Sequence, residues 1–172
     1  MSRAFVKEDN ANDNAGALPE RTIPAHANYV TPRGLTQLQA QVRDLAVRCE
    51  ALKRGAGENS SAKDKLRALE RDLRYFQAQL ERAEPVDTAA SSHGEVHFGA
   101  TVTVREMGEN GDVQRRIRIV GDDEADAAAG DVSWASPLAR ALIGARVGES
   151  VAWQRPVGVV EIEILAVEYL AA

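Results

Sequence analysis

Residues 35–52 read LTQLQAQVRDLAVRCEAL, and this stretch decides the fold of the first half of the chain. Its apolar residues recur at alternating spacings of three and four, the pattern of a coiled-coil helix. The seam consists of Leu35, Leu38, Val42, Leu45, Cys49 and Leu52. Thr31 and Pro32 are good N-cap and first-helical residues, so the helix is expected to begin there.

A second seam follows after a short break. Residues 55–60 read GAGENS, and the two glycines and the asparagine predict the end of one helix and a turn. Ser61 and Asp64 then resemble a capping box, and Pro85 is expected to stop the second helix. The second seam consists of Ala62, Leu66, Leu69, Leu73, Phe76, Leu80 and Ala83. Two such seams predict an antiparallel coiled-coil hairpin over residues 29–84; packing on a globular core or on another chain are the alternatives.

Composition separates the segments on either side of this hairpin. Residues 1–28 are rich in Asn, Asp, Ala, Glu and Pro and hold few large apolar groups, which predicts a flexible tail. Residues 85–94 are predicted to be a linker to a C-terminal domain over residues 95–172. Residues 31–84 carry eleven basic and eight acidic side chains, net +3, whereas residues 85–172 carry seven and fourteen, net −7. This contrast suggests two domains with different partners.

The hydrophobic period changes to two in the C-terminal domain, as is typical of β-strands. Asn110-Gly111 is a strong hairpin-turn signal, and Ser136-Pro137 predicts the start of a short helix. Strands are predicted at 96–98, 101–104, 113–119, 132–134, 150–153 and 160–169, with an acidic loop at 122–131. The sequence therefore predicts an α+β protein of two domains, a coiled-coil hairpin followed by a small antiparallel sheet with one helix.

Composition also excludes several classes of protein. The 172 residues are 44% apolar and 27% charged, as in ordinary soluble proteins, and no apolar run could form a membrane-spanning helix. The N-terminus has no apolar segment of a secretory signal. The single cysteine, Cys49, excludes a disulfide framework and a cysteine zinc site, and the three histidines lack ligand spacing. We expect a reduced, cytoplasmic protein without a metal or cofactor of its own.

The sequence lacks a Gly-rich phosphate loop, a His-Glu-x-x-His motif and a nucleophile elbow. Two features of the hairpin tip remain as candidates for chemistry. Glu58 is either a solvated turn residue or a carboxylate that is carried as a metal ligand into a partner's site. Basic residues near it form either an ion-paired helical face or a surface for nucleic-acid phosphates. They are Lys53, Arg54, Lys63 and Arg67, with Lys65, Arg71 and Arg74 further along.

Short motifs occur in both halves in a distinctive order. They are Val30-Thr31-x-x-Gly34, Arg71-Asp72-Leu73-Arg74-Tyr75, Phe98-Gly99, Ile117-Arg118-Ile119-Val120-Gly121, Ser133-Trp134-Ala135-Ser136-Pro137 and Pro156-x-Gly158. In this order they resemble the GreA/GreB family of bacterial transcript cleavage factors over about residues 29–170. The sheet is somewhat more similar to GreB than to GreA.

The resemblance implies a fold, a partner and a mechanism. The fold would be an N-terminal coiled coil and a C-terminal FKBP-like domain. Family members bind bacterial RNA polymerase at the mouth of its secondary channel through the C-terminal domain, here through Ser133, Ser136 and Pro137, and the coiled coil enters the channel. Acids at the tip help to hold a Mg²⁺ ion of the polymerase, which cleaves backtracked nascent RNA; Glu58 alone matches such an acid. The chain itself would then be no enzyme, and we expect a monomer without a membrane partner.

The hairpin tip departs from the family pattern. Family tips usually read Gly-Asp-x-x-Glu-Asn before an acidic–aromatic pair, whereas this chain has Ala56 near the place of the first acid and no aromatic residue. The hairpin is also shorter by roughly a dozen residues, or about 9 Å of reach. In the docking loop, Ala135 stands where the family often has an acid. The alternative is a channel-binding regulator that does not stimulate cleavage and competes with true cleavage factors. A prolyl isomerase and a structural coiled-coil dimer are further alternatives.

Overall fold

The computed structural model describes residues 18–55, 59–87, 94–108 and 111–169. A two-helix hairpin with a small β-pair at its base is followed by a five-stranded sheet and one short helix. The predicted α+β architecture of two domains is confirmed. In these described ranges, no helix is long and apolar enough to span a membrane.

The hairpin consists of α1 (Pro32–Gly55) and α2 (Ser60–Glu81). At 1.5 Å per residue, each helix is about 35 Å long. The two helices pack along the predicted seam: Leu45 is 2% exposed, whereas Val47 on the other side of α1 is 66% exposed. Burial raises the pKa of the Cys49 thiol, so Cys49 stays protonated as an apolar seam residue.

Both ends of α2 differ from the sequence prediction. The N-cap is Asn59 rather than Ser61, and the Asn59 side-chain oxygen accepts a hydrogen bond from the Ala62 backbone N–H at 3.4 Å. Asn and Ser are equally good caps, so the local sequence does not choose between them. At its other end α2 stops at Glu81, before Pro85, because residues Ala83–Pro85 pair as a strand with Asn28–Val30.

A short parallel β-pair closes the base of the hairpin. β1 (Asn28–Val30) leads into α1, and β2 (Ala83–Pro85) follows α2. The Asn28 side chain donates a hydrogen bond to the Gln79 carbonyl oxygen at 2.8 Å, and Val30 is 2% exposed. The β-pair therefore ties the two ends of the hairpin together, and residue 28 belongs to it rather than to a free tail.

The C-terminal sheet is built from five strands, β3 (Ala100–Glu106), β4 (Val113–Val120), β5 (Asp131–Ser133), β6 (Ser150–Arg155) and β7 (Gly158–Tyr169). Their order across the sheet is β5-β4-β3-β7-β6. β5 runs parallel to β4, and the other pairings are antiparallel. The sheet is thus mixed rather than wholly antiparallel, because the chain crosses back through residues 121–130 before it enters β5.

The core of the C-terminal domain lies between this sheet and α3 (Pro137–Leu142). Ser136 caps α3 as predicted, and its Oγ accepts a hydrogen bond from the Ala139 N–H at 3.1 Å. Burying one large aliphatic side chain contributes about 1.5–3 kcal/mol. The fully buried residues here include Val102, Val104, Ile119, Leu142, Ile162 and Ile164.

Residues 96–98 differ from the prediction of a strand. Val96 is 0% exposed, but its N–H donates to the Ala145 carbonyl at 2.9 Å and its carbonyl accepts from the Gly144 N–H at 2.8 Å. These bonds go to the loop after α3, so Val96 fills the core without joining the sheet. The predicted turn residue Asn110 lies outside the described residues, and β3 and β4 on either side of it pair as expected.

Candidate functional site

The distal half of the hairpin makes its polar contacts within itself. Lys53 Nζ on α1 lies 3.5 Å from Glu50 Oε1 on the same helix and 3.3 Å from Glu70 Oε1 on α2. The second ion pair joins the two helices. Hydrogen bonding to Glu70 raises the pKa of the Lys53 amine. Arg67 pairs with Asp64 at 3.5 Å. The hydrogen bonds from the hairpin to the C-terminal domain lie near the base, at Thr31, Arg33 and Tyr75, so this half projects as a two-helix rod.

The predicted tip residues differ in the charge that they leave for a partner. Glu58 lies outside the described residues, so its role as a tip acid stays a prediction. Lys53 and Arg67 are ion-paired. Arg54 donates to the Glu50 carbonyl at 3.2 Å, and within the described part of the chain neither Arg54 nor Lys63 pairs with a carboxylate. Arg54 and Lys63 therefore keep more of their charge available to a partner than Lys53 and Arg67 do.

The predicted docking loop, residues 133–137, is held by its own hydroxyl groups. Ser133 Oγ donates to Asp122 and accepts from the Ala135 N–H at 3.1 Å. Ser136 Oγ is used as the cap of α3. Pro137 is exposed at the start of that helix. Since both hydroxyls have partners inside the protein, they fix the shape of the loop and leave Pro137 as its predicted contact residue.

A buried carboxylate joins the first turn of α1 to the C-terminal domain. Glu124 is 7% exposed and follows β4 in a short 3-10 turn. It accepts hydrogen bonds from the Thr31 N–H at 2.9 Å and from the Thr31 hydroxyl. Gly34 packs against it so closely that a Cβ on Gly34 would lie 2.0 Å from Glu124 Cδ. The glycine is therefore required by this contact between the two domains.

A second buried carboxylate, Asp131, joins the same two parts of the chain. It accepts from Arg118 Nε on β4 at 2.8 Å and from Arg33 on α1 at 3.0 Å. Burial alone would raise the pKa of Asp131, but the hydrogen bonds from Arg118 and Arg33 outweigh it and lower the pKa. Asp131 is therefore ionised at neutral pH and bridges the two domains.

Helix α2 is held to the C-terminal domain by a third acid, Asp123. It accepts from the Tyr75 hydroxyl at 3.1 Å and from the Gln79 amide at 2.9 Å. Burial, with the Asp123 carboxylate beside it, raises the pKa of the Tyr75 hydroxyl. Both helices of the hairpin are thus fixed at their base.

Sequence reasoning missed this junction although one signal was present. A glycine inside a helix costs about 1 kcal/mol relative to alanine, so Gly34 in the first turn of α1 indicated a close approach. Nothing local pointed to its partner, because Glu124 is 93 residues away from Thr31 in the chain.

In the parts of the chain that the structure describes, no group of three or more His, Cys, Asp or Glu side chains is arranged to hold an ion. Glu58 is outside those parts, and its participation in a metal site shared with a partner stays a prediction.

Comparison with known proteins connects these features to a family. Residues 91–169 match the family described as "Transcription elongation factor, GreA/GreB, C-term". Transcription elongation factor GreB of Neisseria meningitidis serogroup B is 38% identical over 158 residues, which cover 83% of this chain and 94% of that protein. Transcription elongation factor GreA of Caulobacter vibrioides is 41% identical over 113 residues, which cover 66% of this chain and 71% of that one.

Solved structures of related proteins are also similar to this chain. The GreA/GreB factor from Nitrosomonas europaea has a TM-score of 0.40 and 22% identity, covering 82% of this chain and 98% of that one. GreA factor homolog 1 of Thermus thermophilus has a TM-score of 0.38 and 22% identity, with coverage of 83% and 99%. The sequence relationship decides the family, since it spans nearly the whole of the Neisseria protein. The chain belongs to the GreA/GreB family of transcription elongation factors.

Proposed function

We propose that this chain binds bacterial RNA polymerase at the mouth of its secondary channel and promotes cleavage of backtracked RNA by the polymerase. Its family supports the general role in transcription elongation. In this proposal the C-terminal domain docks on the polymerase and the hairpin enters the channel. The hydrolysis belongs to the polymerase, so in this proposal the chain is not an enzyme. It acts in the cytoplasm as a monomer.

The observation that carries the proposal is a projecting hairpin fixed at its base. Glu124 and Asp131 hold α1, and Asp123 holds α2. A probe about 35 Å long delivers a side chain to a distant site only when its base is held. The three carboxylates therefore fix where the hairpin tip lies relative to the docking domain.

The chemistry at the tip would combine a carboxylate with two cations. Glu58 would add a ligand to a Mg²⁺ ion of the polymerase, which supplies the activated water for phosphodiester hydrolysis. Arg54 and Lys63 flank the turn and would bind the phosphates of the displaced RNA 3′ end. No metal of the chain's own is needed for this role.

The second candidate is a regulator that occupies the channel without stimulating cleavage. Two observations favour it: Ala56 stands near the place of one tip acid, and the helices are only 24 and 22 residues long. A displacement of about 1 Å can cost a hundredfold in rate, so a short hairpin with one acid would bind without promoting hydrolysis. Such a protein would inhibit a longer cleavage factor by competition.

The test is RNA cleavage in a stalled, backtracked complex of the cognate polymerase. Wild type, Glu58→Ala and Asp64→Ala are compared, because Asp64 is an exposed acid near the tip that pairs with Arg67. Shortened RNA with wild type and Asp64→Ala, but not with Glu58→Ala, would support cleavage through the tip acid.

The same assay separates the two candidates. No cleavage by wild type, together with inhibition of an added long-hairpin factor, would reject the cleavage role and establish the channel-binding regulator. No cleavage and no competition would reject both. Equal activity of wild type and Glu58→Ala would reject Glu58 as the tip acid.

A further inference from the structure

Residues 18–27, here called the N-terminal clasp, lie along α2. The Glu20 carboxylate pairs with the Arg74 guanidinium at 2.5 Å. The Arg21 guanidinium lies 3.7 Å from the centre of the Tyr75 ring, which is a close cation–π contact. This part of the chain, which composition assigned to a flexible tail, is therefore attached to α2 beside the contact between Tyr75 and Asp123.

The other end of the clasp contacts both domains through His26. Its backbone carbonyl accepts from Arg82, just after α2, at 2.6 Å. Its imidazole Nε2 lies 3.2 Å from Asp122, and its ring meets the Trp134 ring edge-on with centroids 5.3 Å apart. Asp122 is also the acceptor of the Ser133 hydroxyl. His26 thus touches the docking loop directly at Trp134 and through Asp122.

The clasp holds α2 at the level of the junction acid Asp123, which also bonds Tyr75, and slightly beyond it, since Arg21 lies 3.9 Å from Asp72. Its upper contacts, at Arg74 and Tyr75, lie about 11 Å along α2 from Arg82. Because a tilt of about 10° would move the end of a rod of about 35 Å by roughly 6 Å, a small rotation at the base is magnified at the tip. The clasp adds to the Asp123 contact a second connection between α2 and the docking loop, and this second connection resists the same tilt.

We propose that the N-terminal clasp sets the angle between the hairpin and the docking loop, with Arg21 and His26 as its positioning residues. Its importance for transcription rests on the proposed function, since the angle decides where the hairpin tip arrives in the polymerase. The structural part of the proposal concerns the free protein alone. The two parts are therefore tested separately.

The angle can be measured by double electron–electron resonance between two spin labels. Cys49→Ala removes the buried native thiol, and Val47→Cys and Val159→Cys supply exposed attachment points on α1 and β7. Val47 lies about 22 Å along α1, so a tilt of about 10° moves it by roughly 4 Å. The Arg21→Ala/His26→Ala chain is compared with Arg43→Ala, a matched removal of an exposed cation that has no ion pair in the described ranges.

We expect the double variant to shift the mean distance by about 4 Å or to broaden the distribution by as much. Arg43→Ala should leave the distance unchanged, and Arg21→Lys should retain most of the narrow distribution because it keeps a cation over the ring. An unchanged distribution in the double variant, with native circular dichroism, would overturn the proposal. If the double variant does not fold, Arg21→Ala alone decides, because the Arg21 side chain is 37% exposed and leaves no buried cavity.

The polymerase arm uses the same variants in the cleavage and competition assays. A loss of about tenfold or more in the double variant, with Arg43→Ala unaffected, would support the positioning role. A shifted distance with unchanged activity would overturn that role. An inactive wild type would reject the proposed function, while the distance measurement would still decide whether the clasp sets the angle.

Discussion

The contact between Gly34 and Glu124 predicts that Gly34→Ala destabilises the protein, whereas the usual rule for helices predicts stabilisation. Replacing a helical glycine by alanine normally stabilises a protein by about 1 kcal/mol. Here the new Cβ would lie 2.0 Å from Glu124 Cδ and 2.1 Å from Oε1, so the carboxylate must move. Glu124 is 7% exposed and would lose its bonds to the Thr31 N–H and hydroxyl.

The size of the effect follows from these bonds. Hydrogen bonds to a charged group contribute about 1.5–3 kcal/mol each, so losing two costs about 3–6 kcal/mol. The helix gain of about 1 kcal/mol offsets part of this loss. We therefore expect Gly34→Ala to lower the free energy of unfolding by about 2–5 kcal/mol.

The assay is urea unfolding followed by circular dichroism and by tryptophan fluorescence, since Trp134 lies near the junction and Trp153 in the C-terminal domain. Gly55→Ala is the matched control, because a Cβ on Gly55 meets nothing within 4 Å, and it should be neutral or slightly stabilising. In a chain that already carries Glu124→Ala, Gly34→Ala should stabilise by up to about 1 kcal/mol. Stabilisation by Gly34→Ala in the native chain, or an equal cost with and without Glu124, would refute the reasoning.

Three further predictions concern the junction, the hairpin and α3. Because the folded-state pKa of Asp131 is lowered, its contribution is present above the ordinary value of 3.8 and is lost as the pH falls through the lower folded value. Below about pH 4, the free energy of unfolding should therefore fall less steeply with pH in Asp131→Asn than in the wild type. An unchanged slope would contradict the Arg118 pairing. Leu45→Ala should cost about 2–5 kcal/mol in urea unfolding, whereas Val47→Ala on the exposed side should stay within about 0.5 kcal/mol, and similar values for both would exclude the seam. Ser136→Ala should lower stability by about 1 kcal/mol in thermal unfolding through loss of the α3 cap, and a neutral result would show that the capping bond contributes nothing.

The sequence predicted those elements whose causes are local. The heptad spacing of Leu38, Leu45 and Cys49 is enough to define the hairpin, because each residue's burial follows from its position on one helix face. Ser136-Pro137 predicted α3 for the same reason, since cap and first helical residue are neighbours. The hydrophobic period of a helix and its N-cap residue can both be recognised in a short stretch of sequence.

The remaining features depend on partners that are distant in sequence. Val96 has the alternation of a strand, yet its hydrogen bonds go to the loop after α3, which the pattern could not reveal. β5 pairs in parallel because of a crossover rather than because of its residues. Glu20 and Arg21 lie in a segment whose composition is typical of a free tail. However, Glu20 pairs with Arg74, and Arg21 lies over the Tyr75 ring, both on α2. Composition counts apolar area and misses such polar attachment.

The segment of residues 122–131, which ends with the first residue of β5, shows why net charge is a poor guide to the surface that a partner meets. The C-terminal segment is acidic overall, and this stretch would be the obvious source of an acidic docking surface. Yet Asp123, Glu124 and Asp131 each accept hydrogen bonds from the hairpin, and Asp122 accepts from Ser133. These hydrogen bonds hold the carboxylates against the hairpin and the docking loop, and the charge of Asp131 is also offset by Arg33 and Arg118. Neutralising one of these acids should therefore disturb the angle of the hairpin before it alters the affinity of the docking domain for its partner.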